Sequence, residues 1–493
     1  MFESAELGHA VGKKEYAKRE TELRGALLAA QYDLLTQKQS PVIVLIGGVD
    51  GAGKGETVNL LNAWMDPRHI ITHAFGNPSD EERERPRMWR FWRALPPKGR
   101  IGILFGSWYS EPIVARVKGE CKSAEFERYL QDINRFERML VDEGAVVLKF
   151  WFHLSKKVQR KRLEALESDP KTRWRVSEHE WQRFKHYDEF RAISEVALRE
   201  TSTGEAPWTI VEGTDPHYRY LTVGQILLDA LRERLASTTP RPPRMNVLPK
   251  SPIDGRNLLN SLDFSGKMSR KTYEAKLEKY QGRLNLLTRD PRFANHALIV
   301  VFEGVDAAGK GGAIRRITSA LDARHYHVIP IAAPNEEERA QPYLWRFWRH
   351  LPRKGRVTVF DRSWYGRVLV ERVEGFCSDS EWLRAYSEIN DFEEQLTDAH
   401  AIVVKFWVTV TQEEQLRRFN ERENTPFKAF KITPEDWRNR EKWPQYESAV
   451  CDMVERTSTD NAPWNLVAAN DKYAARIEIL RTLCERVSEA LDR

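Results

Sequence analysis

The sequence predicts an α/β fold built twice, each copy a parallel sheet covered by helices on both faces. Three observations carry this reading. Residues 42–55, a run of apolar residues ending in Gly48-x-Asp50-x-x-Gly53-Lys54-Gly55, return as residues 298–311, at an offset of 256 (Gly48 to Gly304). The offset holds at Trp89-Arg90-Phe91-Trp92-Arg93 against Trp345-Arg346-Phe347-Trp348-Arg349, and at Ala206-Pro207-Trp208 against Ala462-Pro463-Trp464. A fixed period of this length marks a tandem duplication. Within each copy, short apolar strands alternate with longer helical patterns, as in a sheet buried on both faces.

The elements follow in order. Each copy opens with a charged helical lead-in, residues 13–35 and 269–287, whose registers differ by about one residue, as connecting segments tolerate. A buried strand follows (42–46; 298–302), then the glycine-rich turn and a helix. A second strand is expected near 100–105 and 356–361, a third at 145–152 and 401–408, and a fourth after Trp208 and Trp464. Between the copies, Ser237-Thr238-Thr239-Pro240-Arg241-Pro242-Pro243-Arg244, with Pro249 and Pro252 beyond, reads as a linker. The expected domains are therefore 1–240 and 256–493, joined by 241–255.

Composition bounds the class. The chain has 493 residues, 41% hydrophobic and 30% charged, enough for a core in each copy beneath a solvated surface. The start, Met1-Phe2-Glu3-Ser4-Ala5-Glu6, carries acids where a signal peptide has basic residues, and no run is long and apolar enough to span a membrane. Cys121, Cys377, Cys451 and Cys484 lack metal-ligand spacing, and the first two, which are repeat equivalents, read as small core residues. A reduced, cytoplasmic setting without a membrane partner is expected. The net charge of +6 does not announce nucleic acid, and none is expected as a partner. The cations nevertheless cluster around the same landmarks, at Arg83, Arg85, Arg87, Arg90, Arg93, Lys98 and Arg100, and again at Arg339, Arg346, Arg349, Arg353, Lys354 and Arg356. One such run is ordinarily a solvated face. Two, each beside a phosphate loop, favour a polyanionic partner.

The loop is the strongest signal. Gly304-x-x-x-x-Gly309-Lys310 and Gly48-x-x-x-x-Gly53-Lys54 fit the pattern in which backbone N–H groups and a helix N-terminus surround a phosphate chain while the lysine reaches the transferring group. The Ser/Thr that usually follows the lysine and holds magnesium is Gly311 or Gly55. Asp306 and Asp50, inside the loops, are the nearest substitutes, and a carboxylate in an anion-binding loop calls for a cation between. In the second copy the next strand ends Phe360-Asp361-Arg362-Ser363-Trp364-Tyr365-Gly366-Arg367. Asp361 is placed to hold magnesium or a nucleophile, the alternative being a helix cap. In the first copy Asp361, Arg362, Arg367, Glu371 and Arg422 have become Phe105, Gly106, Glu111, Ala115 and Leu166, while Ser-Trp-Tyr persists. An acid and its basic companions lost together read as lost catalysis.

These residues, with Arg417-Arg418-Phe419-x-x-Arg422 and Thr457-Ser458-Thr459-x-x-Ala462-Pro463-Trp464, resemble the polyphosphate kinase 2 family over nearly the whole chain, once per copy. The resemblance implies a P-loop kinase-like fold with helical lids, and inorganic polyphosphate as phosphoryl donor to nucleotides. Fused two-domain members, the most similar, are associated with making ADP from AMP, and GMP to GDP is a further expected reaction. By position, the resemblance implies catalytic roles for Asp306, Lys310, Asp361, Arg362, Arg367 and Glu371, with Mg2+ on Asp306 and Asp361. It implies phosphate contacts from Gly304, Gly309, Gly311 and from the lid residues Arg417, Arg418, Arg422, Lys428 and Lys431. Asp50, Gly53 and Lys54 then mark a degenerate N-terminal site, its domain a structural mate that makes each chain a pseudo-dimer and leaves a homo-oligomer open. Two other readings fit the same residues: an ATP-dependent nucleoside monophosphate kinase, and a non-catalytic polyanion-binding scaffold.

Overall fold

The computed structural model describes residues 1–237, 257–426 and 432–492, so the expected linker, Lys428 and Lys431 lie outside the described residues. Two five-stranded sheets are present, each wholly parallel. The first is ordered β2-β3-β1-β4-β5, from β1 (Val42–Gly48), β2 (Ile70–Ala74), β3 (Ile101–Phe105), β4 (Val146–His153) and β5 (Trp208–Glu212). The second repeats the order as β7-β8-β6-β9-β10, from β6 (Ala297–Gly304), β7 (Tyr326–Pro330), β8 (Val357–Asp361), β9 (Ala401–Thr409) and β10 (Trp464–Ala468).

The central strands are apolar because both of their faces are covered. Val42, Val44, Leu298 and Val300 have no exposed surface, and each parallel step is bridged by a crossover helix. The lead-in helices run Lys13–Gln37 and Arg270–Arg289 and pack against the last helix of their own copy, Pro216–Ala236 and Lys472–Leu491. β2 and β7 were not foreseen. Both are edge strands, and β7 (Tyr-His-Val-Ile-Pro) is largely exposed, so neither shows the continuous apolar run by which buried strands are recognised. Cys121 is buried and Cys377 partly so, with burial pushing the Cys377 thiol up to about 12.

The chain divides into two compact units, but not at one cut. The first comprises Met1–Pro78, Arg90–Pro242 and Pro334–Trp345, and the second Ser79–Trp89, Pro243–Ala333 and Arg346–Arg493. Each unit thus contains a short segment of the other repeat. In the second unit Arg85 donates to the Leu351 carbonyl at 3.1 Å and Glu84 pairs with Arg353. In the first, Gln341 donates to the Leu95 carbonyl at 3.1 Å, and the Lys98 N–H donates to the Ala340 carbonyl at 2.8 Å.

A buried ion pair explains why the Trp-Tyr of Ser-Trp-Tyr persists in both copies. In the second unit Lys405 Nζ donates to Glu393 Oε2 at 2.7 Å, to the Tyr365 hydroxyl at 2.8 Å and to the Thr457 carbonyl at 2.7 Å. Trp364 Nε1 and the Tyr365 hydroxyl both donate to Glu393 Oε1, at 3.0 and 2.7 Å. The first unit repeats it with Lys149, Glu137, Tyr109, Trp108 and the Thr201 carbonyl. Lys405 has no side-chain exposure and Glu393 has 1%, so neither charge survives without its partner. Replacing one member, as in Glu393→Gln or Lys405→Met, is expected to destabilise the second unit by about 3–5 kcal/mol, read as a lowered urea midpoint. A loss below about 1 kcal/mol would mean that water reaches the pair.

Candidate active site

The loop after β6 is fixed by where its backbone runs. Gly304 has φ +145°, and a Cβ there would lie 2.0 Å from the Val408 carbonyl oxygen of β9; Gly48 stands in the same way against Phe152. No other residue fits. Gly309, at φ +113°, is the N-cap of the helix Lys310–Thr318, so the positive end of that helix adjoins the loop. Lys310 Nζ folds back to the Gly304 and Val305 carbonyls at 2.6 and 3.3 Å. Burial pulls its ammonium below the ordinary lysine range, and Asp306 opposes that shift.

β8 brings the second acid. Asp361 ends that strand in register with Phe302, one residue before Glu303 and the loop. Arg362 follows at φ +65°, a left-handed conformation unusual for a side chain-bearing residue, and its Nη2 lies 3.1 Å from Asp306 Oδ1. Such a residue costs of order 1–3 kcal/mol and persists where its surroundings over-determine it. Its counterpart Gly106 holds φ +70° without that cost. Asp306, Lys310, Asp361 and Arg362 thus share one electrostatic cluster. Arg367 and Glu371 pair with each other at 2.8 Å, and Arg367 also reaches Glu381 at 3.2 Å.

Three residues of this cluster were not foreseen. Glu303 is buried, accepts from the Ser363 hydroxyl at 2.8 Å, and is pushed above the ordinary carboxylate range by burial. Asn439 Nδ2 donates to Asp306 Oδ2 at 2.9 Å, and the Tyr446 hydroxyl donates to Asn439 Oδ1 at 3.2 Å. At the repeat offset these three become Gly47, Arg183 and Phe190. The signal was therefore available in the comparison that exposed Phe105, but only beyond the recognised motifs. Asn439 lies on the short helix Pro434–Glu441, which Glu374 holds through Arg438 at 3.1 Å and Lys442 at 2.9 Å.

The arginines of the expected lid divide. Arg418 is buried, and its guanidinium is bonded to Glu414 and to the carbonyls of Ala307, Ala308, Ala469 and Asn470 at 2.6–3.1 Å. It braces the loop from behind instead of facing a phosphate as expected. Arg417 is exposed and paired with Glu414 on its own helix at 2.7 Å, and Arg422 is partly exposed near the end of that helix, Gln412–Glu423. Arg346, from the basic cluster, is 8% exposed and donates to the Ala332 carbonyl at 3.0 Å. Part of the apparent polyanion surface therefore serves the fold.

The first copy keeps the loop and fills its surroundings. Lys54 folds back to Gly48 and Val49 as Lys310 does, at 2.8 and 2.7 Å. Asp50 is flanked by two cations, Lys54 at 3.6 Å and Arg183 at 3.4 Å. Arg219, with no exposed surface, crowds Gly53, where a Cβ would lie 2.1 Å from its Cζ. It donates to Thr57, Gly213 and Glu56 at 2.8–3.1 Å. Gly309 has nothing so close, and Arg219 becomes Ala475 in the second copy.

Asp306 and Asp361 would offer two carboxylates, and among the described residues no group of three or more His, Cys, Asp or Glu is placed to hold a metal by itself. That suits a magnesium ion, which keeps water and takes further oxygens from substrate phosphates. A strand, a glycine loop closing on a lysine, and an acid at the tip of the adjoining strand define a P-loop phosphotransferase site. The family model for polyphosphate kinase 2 matches residues 10–239 and again 267–493. The chain belongs to the polyphosphate kinase 2 family. It is 57% identical over 491 residues to a polyphosphate:AMP phosphotransferase of Pseudomonas aeruginosa, covering 99% of both chains. Against the protein of that name from Acinetobacter johnsonii it is 37% identical, covering 96% of this chain and 97% of the relative. A crystal structure described as that of a polyphosphate kinase 2 from P. aeruginosa PA01 superposes with TM-score 0.91 at 55% identity, covering all of both chains.

The two copies are expected to respond unequally to mutation. Lys310→Ala and Asp361→Asn should each lower phosphoryl-transfer kcat at least about a hundredfold, the scale of removing a preorganised charge from a transition state. Lys54→Ala should cost far less. Equal losses at Lys54 and Lys310, in proteins shown to be folded by circular dichroism, would make the first site a working one.

Proposed function

We propose that this chain is a cytoplasmic polyphosphate:AMP phosphotransferase whose second copy carries the reaction. The terminal phosphoryl group of polyphosphate passes to AMP to give ADP, with GMP to GDP as a secondary reaction. The observation that carries this is the asymmetry between the copies. Asp306, Lys310, Asp361 and Arg362 form one cluster in the second, while the first has Phe105 and Gly106 in place of the last two. Full-length relatives bearing that activity as their name support the choice of donor and acceptor.

The chemistry follows from charge. Donor and acceptor are both anions, so their repulsion is the main barrier, and the site answers it with fixed cations. The loop N–H groups and Lys310 take the phosphate chain, and Lys310 must leave the Gly304 and Val305 carbonyls to reach it. Arg362, tied to Asp306, is placed to neutralise the oxygens of the moving group. Arg367, held by Glu371 and Glu381, offers a second guanidinium, with Arg422 and Lys428 and Lys431 assigned by resemblance to the closing lid. Asp306 and Asp361 would hold a magnesium ion, which would supply positive charge against the repulsion of donor and acceptor. Closure of the lid helices excludes water, which would otherwise take the phosphoryl group.

Purified protein given polyphosphate, magnesium and AMP is expected to yield ADP, and chelation should abolish turnover. Product nucleotides resolved by chromatography, with AMP, GMP and ADP each tried as acceptor, decide the matter. Good turnover of AMP with ATP and none with polyphosphate would instead make the chain a nucleoside monophosphate kinase.

A further inference from the structure

Asp306 and Asp50 occupy the same place in two copies of one loop, and the structure gives them different company. Asp306 shares one oxygen with Arg362 at 3.1 Å and the other with the neutral amide of Asn439 at 2.9 Å. Asp50 has the guanidinium of Arg183, at the position of Asn439, 3.4 Å from Oδ2, and Lys54 3.6 Å from Oδ1. The difference is arranged, not incidental. Tyr446 donates to Asn439 Oδ1 at 3.2 Å, which commits the amide to presenting its N–H to Asp306. The first copy has Phe190 there and no amide to orient.

The helix that carries Asn439 is also fixed from its other side. Glu374, 5% exposed, pairs with Arg438 and Lys442 at 3.1 and 2.9 Å. These three residues are Lys118, Gln182 and His186 in the first copy, so that helix has no acid to hold it in the same way. Placement of the amide thus has three supports: the Glu374 pair, the Tyr446 hydroxyl and the carboxylate itself.

We infer that Asn439 is a positioning residue that keeps the loop aspartate both oriented and open to a divalent cation, and that an arginine at this place closes the loop to one. The inference rests on the proposed metal role of Asp306. A neutral donor orients the carboxylate without cancelling its charge, and yields one lone pair to an arriving ion. Asp306 already has Arg362 on its first oxygen, so a guanidinium in place of Asn439 would set a cation on the second oxygen as well, as Lys54 and Arg183 do for Asp50. No oxygen would then face an arriving ion without a competing cation, although solvent screens the exposed Arg183 pair. The difference at Asp361 is therefore only part of the contrast between the copies: the loop acid of the first has no counterpart of Arg362 on one oxygen but has Arg183 on the other, where the second copy has a neutral amide.

The test uses the full chain and Mn2+ alone, with free Mn2+ followed by electron paramagnetic resonance in the absence of nucleotide and polyphosphate. The wild-type protein is expected to bind Mn2+ in a manner lost in Asp306→Asn. Asn439→Arg should weaken that binding at least tenfold. Asn439→Ala should leave it within about threefold while lowering kcat for phosphoryl transfer, and Tyr446→Phe should lower kcat in the same direction by less. A merely structural role for Asn439 would give Ala and Arg the same Mn2+ affinity, and that result, in folded proteins, overturns the inference while leaving the proposed activity standing. An active wild-type enzyme whose Mn2+ binding ignores Asp306→Asn would remove the metal role and the inference together. Absence of polyphosphate-dependent turnover in the wild type would instead count against the proposed function.

Discussion

The turn that sets Arg362 in the active site hangs from one buried ion pair, Glu393 with Lys405. It gathers the strand β9, the helix Asp379–Asp398, the Trp364-Tyr365 turn and the end of the helix Trp443–Thr457 at one point. A carboxylate taken out of water is tolerable only if nearly every lone pair is matched, and here two donors converge on one oxygen while the ammonium takes the other. The turn so fixed begins immediately after Arg362. A left-handed arginine is a poor choice for a flexible loop and a workable one where the next three residues cannot move. The pair therefore sets the geometry of groups it never touches.

The same pair stands in the first copy, together with the sheet order, the glycine loop and the folded-back lysine. At the site itself, the differences described are in charge and its immediate supports. Arg362 gave way to a glycine that needs no support, and Glu303 to Gly47 beside the Trp151 ring. Arg219 was added as a buried brace, with Glu56 and Thr57 to receive it. The first copy thus has no strained arginine, no buried acid and no open loop at these places. Scaffold and chemistry are separable here because the scaffold's polar node lies one shell behind the chemistry.

Much of this was legible in the sequence because it was written twice. The three inner strands of each copy and the loop announced themselves by apolar runs and by glycines with one structural reason, and the fourth strand and Asp361 with Arg362 by their place in the repeat. The edge strands β2 and β7 did not, since a half-exposed strand carries histidine, threonine and tyrosine as freely as a loop does. Arg418 was misleading for another reason. An arginine in a motif shared with a phosphate-binding lid looks like a ligand, and only the structure reveals that the carbonyls of Ala307, Ala308 and Ala469 already use its donors. Asn439 and Tyr446 were invisible to motif reasoning because an amide and a phenol bear no charge, although their counterparts Arg183 and Phe190 differ in the one respect that matters.

The segments that each repeat contributes to the other's unit bear on how such a chain can evolve. Ser79–Trp89 belongs to the unit that carries Asp361, and Pro334–Trp345 to the unit that does not. Shedding the first repeat would strip Glu84 and Arg85 from Arg353 and Leu351, so the surviving half would expose surface it was never selected to show. Selection on one catalytic centre is thereby spread over both repeats. On the proposed division of labour, a gene whose first repeat no longer catalyses would still be unable to discard it, because that repeat is built into the unit of the other.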